Sequence, residues 1–133
     1  MSFDDMDMDR LRQEIDGVIL DYMPETSGYS AEVRNAMSYA IASGGKRVRP
    51  MLMMLTYRAM GGKGDIVEPF AVAIEMVHTH SLIHDDLPAL DNDSLRHGKP
   101  SVHVQFGEDV AILAGDALLN LAYETAALGF IKK

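Results

Sequence analysis

The chain has 133 residues, of which 47% are apolar and 24% are charged, the balance of one soluble globular domain. It contains no cysteine, so disulfide scaffolds, thiolate metal sites and a cysteine nucleophile are excluded. The net charge of −8 is opposite to that of a typical nucleic-acid-binding protein, and the acidic start of the chain is unlike a secretory or transit peptide. We therefore expect a cytoplasmic protein without nucleic-acid partners.

Apolar residues recur with the helical period along most of the chain, and they predict five helices. Ser30 is predicted to cap the second helix, and Asp65 with Glu68 to cap the fourth. Residues 1–133 are therefore expected to form a single all-α domain, a helical bundle. The helices are predicted to lie before Pro24, from Ser30 to Gly44, from Pro50 to Gly61, from Ile66 to Leu87 and from Gly107 to Leu128.

The fifth predicted helix is apolar nearly all round, which is typical of a helix covered on all sides in the middle of a bundle. The other predicted helices are too few to cover it fully. No run of 18 apolar residues exists, because Glu75, Asp85 and Asp116 interrupt the most apolar stretches. We therefore expect no membrane span.

Four carboxylates lie within nine residues at the end of the fourth predicted helix: Asp85, Asp86, Asp91 and Asp93. Such a cluster repels itself unless a cation lies within it, and hard oxygen ligands suit Mg²⁺ together with a substrate phosphate. Pro88 disturbs the helix, so a bend there can bring Asp91 back towards Asp85. The alternative is a solvated acidic loop without a function.

Two basic segments accompany the acidic one. Lys46, Arg47 and Arg49 follow two glycines and lead into a helix start, where loop amides and the helix dipole favour an anion. Arg96 begins a second basic turn after the carboxylates. Each segment alone is also compatible with a solvated basic turn. Together with the acidic cluster, they predict a Mg²⁺-bridged diphosphate site.

These segments closely resemble motifs of the trans-isoprenyl diphosphate synthases, over about residues 38–124. Residues 75–91 resemble the first aspartate-rich motif of that family, with the four-residue spacer of bacterial farnesyl and plant-type geranylgeranyl diphosphate synthases. Residues 44–50 resemble its homoallylic diphosphate loop. Residues 95–100 and 106–119 also fit, in the expected order.

The resemblance implies a Mg²⁺-dependent prenyltransferase (Mn²⁺ is an alternative) with the helical fold of the isoprenoid synthases. It condenses isopentenyl diphosphate with an allylic diphosphate, dimethylallyl or geranyl, to give farnesyl diphosphate. In that reaction Asp85 and Asp91 ligate the metal with Asp86 in support, and Arg96 holds the allylic diphosphate. The implied catalytic residues are Asp85, Asp86, Asp91 and Arg96. The implied ligands of isopentenyl diphosphate are Lys46, Arg49 and His78, together with the position of His97.

The chain departs from the family in two respects. His97 stands where the family usually has an arginine that helps to bind isopentenyl diphosphate. The chain is also shorter than family members and lacks their second aspartate-rich motif, so we expect an N-terminal half that self-associates or forms a homodimer. Such a chain is expected to transfer prenyl groups poorly or not at all alone.

Other interpretations stay open at this point. His80 and Ser81 lie where the family floors its product pocket, and the intermediate size of histidine favours a fifteen-carbon product over the twenty-carbon geranylgeranyl diphosphate. A non-catalytic partner subunit is a second interpretation. A third takes His84 and Asp85 as metal ligands of an HD-type phosphohydrolase, but His78 on the same helix is wrongly arranged for that class.

Overall fold

The structure is a computed structural model that describes residues 5–131. Within that range it contains six helices and one two-stranded hairpin, which confirms the predicted all-α class. Residues 1–4, where the acidic start of the chain begins, and residues 132–133 lie outside the described range. The elements are α1 (Asp5–Tyr22), α2 (Ala31–Ala42), α3 (Val48–Ala59), α4 (Glu68–Asp85), β1 (Leu95–Arg96), β2 (Lys99–Pro100), α5 (Val102–Phe106) and α6 (Glu108–Gly129).

The helix boundaries correct two predictions. The Ser30 residue does precede α2, but its φ of 63° is left-handed, and its side chain makes no capping bond. A capping serine normally has extended backbone angles that aim its hydroxyl at the first turn, which explains the difference. Helix α4 is shorter than predicted, because Val67 occupies the N-cap position and the helix ends at Asp85, before Pro88.

The core lies between α4 and α6, which pack along most of their lengths. Met76 of α4 and Leu118 of α6 are fully buried. Alanine and glycine occupy much of the facing side of α6, including Ala111, Ala114 and Gly115, and small side chains let two helix backbones approach closely. The packing of α4 against α6 therefore positions the acidic segment that begins at the end of α4.

Helix α6 is not covered on all sides by the described residues. One face packs into the bundle, whereas Leu113, Tyr123 and Leu128 are more than half exposed. By length and composition alone α6 could cross a membrane, a test that the core helix of a water-soluble bundle also passes. Its buried face packs against α4 and α2, as a core helix does.

A short hairpin, β1–β2, follows the acidic segment and was not predicted. His97 and Gly98 form its two-residue turn, with φ of 51° and 77°. Positive φ at both turn positions matches the twist of paired strands, and histidine tolerates this conformation better than most residues. The Ser101 hydroxyl donates to the Asp93 carbonyl at 2.7 Å, and the Tyr39 hydroxyl donates to the Pro100 carbonyl at 2.7 Å. These bonds fix the hairpin beside α2.

Candidate diphosphate site

A cavity of about 390 Å³ opens between the basic loop after α2, the middle of α4 and the hairpin. Its walls carry polar and charged side chains from segments that are far apart in the sequence. All five residues predicted to bind substrate line it, and so does one of the three predicted metal-site aspartates. These residues are Lys46, Arg49, His78, Arg96, His97 and Asp86.

The basic loop, residues 44–49, forms one wall of the cavity. Gly44 and Gly45 have φ of 98° and 138°, conformations that other residues rarely adopt, so the glycines allow this turn. Lys46 and Arg49 are exposed there. Throughout α3, all of which is described, no side chain caps the first turn and no acid lies in it. The loop thus combines two cations with a helix N-terminus, an arrangement that attracts an anion.

Arg47 differs from the other two cations of the basic loop, and sequence reasoning did not foresee its role. It is 6% exposed, and its guanidinium bonds to Asp16, Glu75 and the Ile41 carbonyl. In the sequence analysis, Arg47 was grouped with Lys46 and Arg49 as a cation available to bind a diphosphate. It is instead neutralised inside the bundle, because two carboxylates face it from α1 and α4.

His78 lies on α4 and lines the cavity with the basic side chains around it. Partial burial lowers the pKa of His78, and the charges of Arg49, Arg96 and Arg47 lower it further, while Glu75 opposes them. The imidazole is therefore biased towards its neutral form until an anion enters. A diphosphate would reverse that bias, because negative charge stabilises the imidazolium.

The acidic segment folds back on itself as predicted. The Asp91 amide donates to the Asp85 carbonyl at 2.8 Å, and the Asp93 amide donates to the Asp86 carbonyl at 3.1 Å. The backbones of Asp85 and Asp91 are thus neighbours despite their separation in sequence. Both residues are exposed, and both lie outside the lining of the cavity.

Asp86 points the other way and is nearly fully buried. Arg96 donates to both of its oxygens, from Nε at 2.8 Å and from Nη2. This bidentate bond raises the pKa of Arg96. The family resemblance implied that Asp86 supports the metal and that Arg96 binds the allylic diphosphate, whereas in the structure the two side chains bind each other. The pair joins the end of α4 to the hairpin.

Asp85 and Asp91 are the residues that could hold Mg²⁺. In the part of the chain that the structure describes, no three histidine or acidic side chains converge to form a complete metal site. Two exposed carboxylates on adjoining backbone, Asp85 and Asp91, nevertheless fit the ion, because Mg²⁺ keeps several waters and takes few carboxylates plus substrate phosphate.

The face of α4 that carries His80 and His84 packs on α6. His80 Nδ1 lies 2.9 Å from the Gly115 carbonyl, and His84 Nε2 lies 3.0 Å from the Ile112 carbonyl. A carbonyl only accepts, so Nε2 of His84 carries the proton and offers no lone pair to a metal. This geometry argues against the HD-type interpretation. Asp116, near His84, is exposed and bears no burial cost.

Comparisons with known proteins agree on one family. The family model described as polyprenyl synthetase matches residues 30–128. The farnesyl diphosphate synthase of Geobacillus stearothermophilus is 49% identical over 113 residues, which cover 85% of this chain and 38% of that protein. The heterodimeric geranylgeranyl pyrophosphate synthase large subunit 1 of Arabidopsis thaliana is 55% identical over 96 residues, 72% of this chain and 26% of that protein.

Solved structures agree with the sequence relatives. A farnesyl/geranylfarnesyl (FPP/GFPP) synthase from Zymomonas mobilis superposes with a TM-score of 0.84 at 40% identity, over 90% of this chain and 43% of that one. A geranyltransferase from Legionella pneumophila gives a TM-score of 0.85 at 40% identity, over 91% and 42%. The chain thus spans less than half the length of the relatives it matches.

Proposed function

The chain belongs to the polyprenyl synthetase family. We propose that it is part of a prenyltransferase that condenses isopentenyl diphosphate with dimethylallyl or geranyl diphosphate. One observation carries the proposal: six basic residues, of which Arg47 is already paired with carboxylates, line one cavity beside a pair of exposed carboxylates. A net acidic protein that gathers its cations at one cavity creates a local site for a polyanion.

We place this protein in the cytoplasm.

The basic loop and α4 are proposed to hold isopentenyl diphosphate. Lys46 supplies a point charge and Arg49 a planar fork, while the uncapped start of α3 adds backbone donors. His78 and His97 face the same cavity. His97 is proposed to contact the diphosphate from the position where the family usually has an arginine.

The allylic diphosphate is proposed to lie between Arg96, which lines the cavity, and the exposed carboxylates of Asp85 and Asp91 beside it. In the reaction, the allylic C–O bond breaks, and diphosphate leaves with the electron pair. The double bond of isopentenyl diphosphate then forms the new C–C bond, and loss of a proton restores a double bond. Arg96 holds the leaving diphosphate, and Asp85 and Asp91, with Asp86 in support, would hold the metal. When bound, Mg²⁺ supplies positive charge to that diphosphate.

The proposed product is farnesyl diphosphate. His80 is half-buried between α4 and α6, where its ring takes up space and bonds to the Gly115 carbonyl. The neighbouring Ser81 hydroxyl donates to the His78 carbonyl at 2.6 Å. Geranylgeranyl diphosphate is the second candidate, because several relatives with that name are 52–55% identical. Mass spectrometry of products from wild type and His80→Ala distinguishes them: a pocket limited by His80 lengthens the product when the ring is removed.

The metal part of the proposal is tested by thermal shift. Mg²⁺ with inorganic pyrophosphate should raise the melting temperature by ligand linkage, and Mg²⁺ alone should raise it much less. Asp85→Ala should lose the metal-dependent part of the shift. Asp21→Ala, which removes an exposed carboxylate of α1, is the matched control and should respond as wild type does. An Asp85→Ala variant with the full shift would contradict the metal site.

The cation part is tested by calorimetry. Lys46→Ala and Arg49→Ala should each weaken isopentenyl diphosphate binding by about 1–3 kcal/mol, the worth of a charge-assisted hydrogen bond. Lys63→Ala, another exposed lysine, should leave it unchanged. Equal losses for a non-reactive allylic analogue would mean that the basic loop serves the other substrate. A purified chain that makes radiolabelled product would exclude the partner-subunit interpretation.

A further inference from the structure

We propose that Arg47 is a positioning residue, whose buried guanidinium fixes the basic loop so that Lys46 and Arg49 face the same diphosphate as His78. The inference rests on the proposed function, because it names what holds the cations of that site in place. It also explains why only two of the three loop cations at the cavity are exposed, because the guanidinium of Arg47 is buried and already paired.

The contacts of the guanidinium carry the inference. Nε donates to Asp16 Oδ1 of α1 at 2.8 Å, and Nη1 donates to Glu75 Oε1 of α4 at 3.2 Å. Nη2 donates to the Ile41 carbonyl of α2 at 2.6 Å. Arg47 is itself the N-cap residue of α3. All three nitrogens therefore have acceptors, and four helices meet at one side chain.

The position of Glu75 links this network to the cavity. Glu75 lies three residues before His78 on α4, so the two side chains share one face of the helix. The Arg47–Glu75 bond thus ties the basic loop to the turn that carries His78. Glu75 and Arg47 both influence the pKa of His78, in agreement with their proximity.

Charge neutralisation gives Arg47 a second effect on its neighbours. Glu75 is 3% exposed and also lines the cavity, so without a fixed cation its carboxylate would attract Lys46 or Arg49 and compete with the diphosphate for them. A lysine at position 47 has the charge but lacks the planar fork that satisfies three acceptors at once. Arginine is therefore the side chain that both neutralises the carboxylates and sets the loop.

Two variants test the inference on the full chain, with isopentenyl diphosphate as the calorimetric probe. Arg47→Lys keeps the charge and loses the fork. The double variant Arg47→Met with Glu75→Gln removes both buried charges, which avoids the large destabilisation that follows when one partner of a buried pair is lost. We expect each to bind about tenfold more weakly than wild type, equivalent to one lost charge-assisted contact.

Arg58→Met is the matched control. Arg58 on α3 pairs with Glu14 on α1, so its loss also removes a bond between α3 and α1, but at an exposed surface away from the cavity. Its affinity should equal that of wild type. Melting temperatures are measured on every variant, because a merely structural role predicts that affinity follows stability.

The outcomes separate the two claims. A wild type that binds no isopentenyl diphosphate overturns the proposed function, and the positioning role with it. If wild type binds and Arg47→Lys binds equally well, only the positioning role is wrong. If the double variant has the same melting temperature and the same affinity as wild type, the role of Arg47 is only to neutralise Glu75 within the fold, and the positioning role is wrong.

Discussion

His78 is surrounded by arginines and partly buried, which lowers its pKa below the usual value. The unfolded chain therefore takes up a proton at this residue at a higher pH than the native chain does. Stability from this group is present above the ordinary histidine pKa and is lost as the pH falls through the lowered one.

The prediction is that wild type loses more stability than His78→Gln when the pH is lowered from about 7 to 5, a range that begins just above the ordinary histidine pKa of about 6.5. Urea unfolding at several pH values measures the difference. Identical pH profiles for the two proteins would contradict this account of the His78 environment.

The guanidinium of Arg96 neutralises the buried carboxylate of Asp86 through two hydrogen bonds. Arg96→Met leaves that carboxylate without its partner, and we expect it to lower the free energy of unfolding by about 1–3 kcal/mol. Lys99→Met changes the residue paired with Arg96 across the hairpin, and should cost less than about 0.5 kcal/mol because Lys99 is exposed. Chemical denaturation compares them, and equal effects would argue against a role for the fork.

At the scale of the helices, the contact between α4 and α6 depends on Gly115. A Cβ at this position would lie 2.2 Å from His84 Nε2 and 2.4 Å from its Cδ2. The imidazole could retreat only by breaking its bond to the Ile112 carbonyl. Gly115→Ala should therefore destabilise the chain by about 1–3 kcal/mol, the usual cost of overpacking.

Gly17 of α1 is the matched control for that substitution. A Cβ there meets nothing within 4 Å, so Gly17→Ala should stabilise the chain by about 0.5–1 kcal/mol through helix propensity. Opposite signs in thermal unfolding are expected for the two variants. A stabilising effect of Gly115→Ala would show that α4 and α6 are not packed as closely as described.

The sequence pattern predicted the five long helices because their apolar stripes repeat over several turns. The hairpin escaped prediction, because its strands have two residues each and present no alternation. The bend that brings Asp91 back to Asp85 could be predicted from Pro88, because a proline interrupts a helix through its own ring and its missing N–H. The inward turn of Arg47 could not, because its partners Asp16 and Glu75 become its neighbours only when α1 and α4 have packed.

At the scale of the whole molecule, α6 leaves an apolar surface open to solvent. We predict that the chain self-associates through it, because exposed apolar patches on this scale mark interaction sites. Analytical ultracentrifugation measures the mass. A monomer at all concentrations would contradict the prediction. The exposed apolar residues of α6 and the segment after it are Ile112, Leu113, Tyr123, Leu128, Phe130 and Ile131.

Two variants localise the association. Leu113→Gln combined with Leu128→Gln places amides on the exposed face of α6 and should shift the equilibrium towards monomer. Leu20→Gln changes a comparably exposed leucine on α1 and should leave association unchanged. Equal weakening by both would assign the contact to general surface hydrophobicity.

The turn after α4 is closed by main-chain bonds, among them Leu90 to the Leu87 carbonyl at 2.9 Å and Asn92 to the same carbonyl at 3.0 Å. Its shape therefore owes little to the side chain of Leu90, which is 62% exposed. The chain has no cysteine of its own, so Leu90→Cys would be its single thiol and could be labelled with one fluorophore. The label would stand one residue from Asp91, where its emission would report cation binding directly and leave the carboxylates intact.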